Sequence, residues 1–120
     1  MKLSEAIKIG AKKRRQARGL FFDETTSGEI LSDVLGAAFE GAGIVDVADL
    51  DTYMPPERLN ELLKPFDGLA GVEAPCPVGV CGDVAFDGKS MAVHRVAIHL
   101  NDHHCWSREG IAAWLEKYGC

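Results

Sequence analysis

No run of apolar residues approaches the roughly 18 to 20 that a membrane-spanning helix requires, and the chain is charged from Lys2 onward without the apolar core of a secretory signal. These absences predict a cytoplasmic protein in a reducing compartment, where its cysteines stay thiols. A phosphate loop is missing too. Gly68 to Gly71 and Gly79 to Gly82 lack both the Lys-Ser/Thr ending and the strand-glycine-helix framing that aims backbone N–H groups at phosphate. Aromatic residues make up only 8% of the chain and none interleaves with its basic cluster, so there is no platform for stacking single-stranded bases. Carboxylates paired at the spacing of a general acid and base are absent as well. The sequence therefore names no reaction.

What is present is enough for one ordinary domain spanning residues 1–120. With 120 residues, 47% of them hydrophobic, the chain can bury a core without disulfides or a metal. Its net charge of −5 is uneven, because Met1 to Arg18 carries +6 and the remainder −11. The basic segment Lys12 to Arg18 could neutralise phosphates, but a dedicated nucleic-acid binder presents a net positive face, and the body here is acidic. The expected partner of that segment is the chain's own acidic surface, or another protein.

Hydrophobic periodicity predicts a mainly α fold, a compact bundle of four to five short helices with an irregular Gly/Pro/Cys-containing loop. Ser4 is the expected cap of a first helix running to a stop at Gly19, with Leu3, Ala6, Ile7 and Ala11 on its apolar face. Leu20, Phe21 and Phe22 form an anchor, and Asp23 to Gly28 a turn. Glu29 to Glu40 is the predicted central helix, and Ile44 to Tyr53 a short acidic segment. Pro55 and Pro56 start a third helix carrying Leu59, Leu62 and Leu63, closed by Pro65. The insertion 67–89 is predicted irregular, with at most a small strand or hairpin around Val84 to Phe86. From Ser90 to Leu100 the pattern suits a helix, although Val96, Ile98 and Leu100 also alternate as a strand does. Ser107 caps a last helix with Ile111, Ala112, Trp114 and Leu115 on its stripe.

The residues that could carry chemistry gather late in the chain. Cys76 and Cys81 are followed by His94, His99, His103, His104 and Cys105. Thiolate and imidazole are the donors zinc prefers, and His99 and His103, at i and i+4, face one direction if the helix continues, which makes Cys76, Cys81, His99 and His103 a candidate zinc set. In the alternative, the cysteines pack as small hydrophobes and the histidines cap helix ends. A thiol enzyme would need Cys105 activated by His103 or His104, and sequence neighbours in a turn rarely meet in that geometry. Asn101 and Asp102 read as helix caps, with a carboxylate beside His99 and His103 as the other option. Without metal or substrate, the domain would act on a partner protein through an apolar or aromatic surface near Tyr53, Phe66 or Trp106.

Three blocks of residues carry a resemblance. Lys2-Leu3-Ser4-Glu5-Ala6-Ile7 with Gly10-Ala11, Gly36-Ala37-Ala38 through Glu40-Gly41-Ala42-Gly43, and His99-Leu100-Asn101-Asp102 through Trp106-Ser107-Arg108-Glu109, Ile111-Ala112 and Trp114-Leu115-Glu116 together look like a family of small uncharacterised proteins of bacteria and their phages. The likeness covers about half of the chain and is most specific in the C-terminal block. In that family a cysteine often precedes the Gly-Ala-Ala segment, where this chain has Val34 and Leu35. The resemblance implies no activity, and the chain is read as a small accessory or protein-binding domain of bacterial or phage origin.

Overall fold

The computed structural model describes residues 1–44 and 54–120. The acidic stretch expected from Ile44 to Tyr53 lies, Ile44 apart, outside the described residues. Among these, five helices hold about 40% of the residues, and two small two-stranded sheets complete the fold, so strands contribute more than the sequence reading allowed.

Helix α1 (Leu3–Ala11) and helix α2 (Val34–Gly41) touch backbone to backbone. A Cβ built on Gly10 would overlap the Ala37 carbonyl, and one on Gly41 the Ala6 carbonyl. Only the missing side chains let the helices approach this far. The observed α1 starts two residues earlier than expected and ends well before the expected stop. Its cap position is Lys2, with Ser4 already inside the helix and buried, and it stops at Ala11 rather than Gly19. The early stop has a distant cause. Buried Arg108 donates to the carbonyls of Ala11 and Arg14, and the following backbone turns to Ser32, with Ala17 N donating to Ser32 O at 2.8 Å and Ser32 N to Arg15 O at 3.0 Å.

The predicted central helix likewise starts later. Glu29 to Ser32 is not helical: strand β1 (Phe22–Glu24) pairs antiparallel with strand β2 (Ile30–Ser32). Thr25 accepts from Gly28 N, and Gly28 holds a positive φ of 86° that tightens the hairpin turn. Asp33 then begins α2, its carboxylate accepting from Gly36 N at 2.7 Å. Helix α3 (Pro56–Leu63) opens on its proline as expected and buries Leu62 and Leu63.

Strand β3 (Glu73–Pro75) pairs antiparallel with strand β4 (Ser90–Ala92), so the hairpin predicted at Val84 to Phe86 is displaced, and Ser90 starts a strand instead of capping a helix. Helix α4 (Val93–Asp102) follows without a break, and helix α5 (Arg108–Glu116) is capped by Ser107, which accepts from Gly110 N at 3.0 Å. The core runs from Leu3 and Ile7 through Phe39 to Leu100, Ile111 and Leu115. Phe66, expected on a surface, is 5% exposed and packs 6.5 Å from Phe39, while Trp106 is half-buried against the core. Among the described residues the large exposed apolar side chains are instead Met1, Ile9, Val80, Val84 and Tyr118. Among the described residues no helix is long and apolar enough to cross a membrane.

Candidate metal centre

The short β3–β4 ladder sets the geometry of the Cys/His region. Cys76 directly follows β3 and α4 directly follows β4, so pairing Pro75 with Ser90 brings the start of the Cys loop beside the helix that carries His99. Val93 N donates to Val72 O at 3.1 Å and locks that junction. Within the loop, Asp83 forms a turn in which its Oδ1 accepts from Ala85 N at 3.0 Å, and its carbonyl accepts from Phe86 N and Asp87 N at 3.0 and 2.8 Å. That turn lays Phe86 flat on His99, with ring centroids 3.9 Å apart and planes 11° from parallel.

Four donors converge under this loop. Cys81 Sγ lies 3.2 Å from His99 Nε2 and 3.3 Å from His104 Nε2, and Cys76 Sγ lies 3.4 Å from His104 Nε2. All four ligand atoms fall within 4.8 Å of one another, so Cys76, Cys81, His99 and His104 could hold a metal ion. Bond lengths of about 2.3 Å to sulfur and 2.0 Å to nitrogen place neighbouring S and N about 3.5 Å apart around a tetrahedral zinc. The sulfur-nitrogen separations here match that edge. Cys81 and His99 are each 5% exposed, while Cys76 and His104 are half-buried.

The electrostatics suit the same use. Burial, reinforced by neighbouring histidines and opposed by Asp83, holds both His99 and His104 below the usual imidazole pKa, so each ring is neutral with a lone pair to give. Burial raises the Cys76 thiol, and Cys81 beside it adds to the effect. A divalent cation reverses that preference by binding the thiolate.

Three of the four residues of the candidate zinc set, Cys76, Cys81 and His99, are thus brought together, and His104 joins them in place of His103. The i, i+4 relation does put His103 and His99 on one side, but it stacks their rings, with centroids 5.1 Å apart and planes 12° from parallel. His103 Nε2 then faces the Cys81 carbonyl at 3.3 Å, not the sulfurs. His104 lies beyond the end of α4, where the chain turns through Cys105 at a positive φ of 54°, and its ring meets His99 edge-on at 89°. Cys105 itself is exposed, and its thiol makes no hydrogen bond among the described residues, so it is not paired with His103 or His104. His94 stands elsewhere, on a cavity of about 260 Å³ between α3 and the β3–β4 ladder.

Asn101 and Asp102 do not cap the next turn. Buried Asn101 donates to Ala17 O at 3.0 Å and accepts from Gln16 Nε2 at 2.7 Å, while Asp102 Oδ1 accepts from Gly19 N at 2.8 Å. Arg18 donates to Asn101 O at 2.5 Å and reaches Cys105 O at 3.4 Å. Part of the basic segment is therefore tied to the chain's own body, with Arg14 on Glu40, while Arg15 meets Glu29 at the surface and Lys12 and Lys13 are exposed. Sequence reasoning missed that the linker after α1 fastens the end of α4, because no local pattern joins residues 16–19 to 101–105.

Comparison with protein families, curated proteins and solved structures finds no match to this chain.

Proposed function

We propose that the chain is a structural zinc-binding module in which Cys76, Cys81, His99 and His104 hold one ion. The observation that carries this reading is the convergence of two sulfurs and two imidazole nitrogens within 4.8 Å. Two thiolates and two neutral imidazoles are a closed zinc set, with four protein donors and no position left for water or substrate, which favours a structural over a catalytic role. Two of these ligands sit on the 76–89 loop and two at the end of α4, so the ion would tie an otherwise irregular segment to the helical body. Its binding energy would then be part of the folding energy.

The test is metal content and its link to stability. Protein purified without an affinity tag should contain close to one zinc per chain, and a strong chelator should lower its melting temperature. Cobalt substitution should give the intense visible bands of a tetrahedral site with thiolate charge transfer. Absence of metal, with no shift on adding zinc or chelator, would sink the reading.

A further inference from the structure

The ring of His99 has two nitrogens, and only one of them faces the sulfurs. Nε2 lies 3.2 Å from Cys81 Sγ, while Nδ1 points the other way, 3.6 Å from Asp83 Oδ2. No other described residue approaches Nδ1 as a hydrogen-bond partner or ion-pair partner. The His99 side chain is 2% exposed against 31% for Asp83, so the carboxylate spans the boundary between the buried ring and solvent.

We infer that Asp83 is a positioning residue for the metal site, its Oδ2 accepting the Nδ1–H of His99 and so fixing the tautomer that leaves the Nε2 lone pair for the ion. The inference rests on the zinc reading above. A ligating histidine with its outer nitrogen on a carboxylate is held in orientation and made more basic, and loss of such a partner weakens metal binding. Three features of this loop support the assignment to Asp83 over any nearby acid. The turn commits Oδ1 to Ala85 N at 3.0 Å, which aims Oδ2 at the ring. At 3.6 Å the pair is an electrostatic contact rather than a hydrogen bond, and Oδ2, with no other partner, is free to close it. Phe86 and His103 confine the imidazole between two near-parallel rings, so it cannot swing to seek another acceptor. Asp87, the other carboxylate of the loop, is exposed, makes no hydrogen bond or ion pair with His99 among the described residues, and acts electrostatically on Cys76 instead.

Asp83→Asn separates the carboxylate's role from the turn's. An asparagine keeps Oδ1 on Ala85 N and then presents its amide N–H to Nδ1, so that donor meets donor and the required tautomer is disfavoured. Zinc affinity, measured by competition with a chromophoric chelator, should fall about tenfold or more in Asp83→Asn and change much less in Asp87→Asn, which removes the same charge from a carboxylate that acts on Cys76 and not on His99. Side-chain nitrogen NMR of the zinc-loaded wild-type chain should show His99 bonded through Nε2 with a slowly exchanging Nδ1–H, and that proton should be lost from slow exchange in Asp83→Asn. Equal affinities for the two variants, or a wild-type His99 without a protected Nδ1–H, would overturn the assignment while leaving a zinc site in place. A wild-type chain that takes up no zinc would overturn the zinc reading first, and this inference with it.

Discussion

The α1–α2 contact and the Cys/His loop are held together in opposite ways. At the first, two helices meet through bare backbone, with Gly10 against Ala37 and Gly41 against Ala6, inside a core of fully buried Leu3, Ile7, Leu35 and Phe39. At the second, the 76–89 loop buries little and contributes side chains that converge on α4, with the exposed Val80 and Val84 at 92% and 84% on either side of Cys81. The first region is stabilised by many small contacts that no single polar group controls. The second depends on four atoms, and on whatever satisfies them.

The largest difference between the two should appear on filling the helix contact. Gly10→Val must push α1 off α2 and should cost about 3 kcal/mol or more in chemical denaturation, with or without zinc. On the proposed zinc reading, removing the ion should act on the other region alone. At a free concentration a hundredfold above the dissociation constant the ion contributes about 2.7 kcal/mol, so chelation should lower wild-type stability by that much and leave Cys81→Ser, which has no site to lose, unaffected. A finding that Cys81→Ser responds to chelator as the wild type does would place the metal elsewhere.

A smaller effect distinguishes the buried helix cap from both. Burial raises the Asp33 carboxyl to about 7 from its ordinary 3.8, against the opposing bond from Gly36 N, with nearby Asp102 adding to the rise. The folded chain therefore keeps this proton at a pH where the unfolded chain has lost it. Stability from this group is complete below the unfolded value and drains as pH climbs toward the folded one. Relative to Asp33→Asn, which caps without titrating, the wild type should lose stability between about pH 4 and 7 at up to about 1.4 kcal/mol per pH unit. Parallel pH profiles for the two proteins would show that Asp33 titrates normally. Least of all, Ser107→Ala removes the acceptor for Gly110 N and should cost about 1 kcal/mol by thermal or urea unfolding, without changing metal content.

Where the sequence could be read, local chemistry decided the structure. Pro56 at the start of α3, Ser107 at the start of α5, and the apolar stripe of Ile111, Ala112, Trp114 and Leu115 each act within a turn or two of themselves. The four strands escaped because each has three residues, too few for alternation to register, and each depends on a partner strand. Ile30 and Leu31 suit either a strand or the helix that periodicity predicts over them; the turn at Gly28 and the cap at Asp33 settle it. The end of α1 depends on Arg108, far along the chain. The choice of His104 over His103 turns on where α4 stops and on the left-handed backbone of Cys105, neither of which leaves a mark in residue spacing. The Cys/His grouping itself was legible, since thiols and imidazoles clustered this closely narrow the chemistry before any geometry is known.

Arg18 gives the Cys/His region an unexpected dependence. Its guanidinium holds the carbonyls of Asn101 and Cys105, the two residues that bracket the turn presenting His104, while Gln16 holds the Asn101 side chain and the Trp106 carbonyl. A cassette cut at residues 73–105 would carry every ligand and still leave these supports behind. Moved to a foreign scaffold, the same four donors would lack the clasp that sets the angle of the fourth, so the motif belongs to this chain's architecture and is not a portable part.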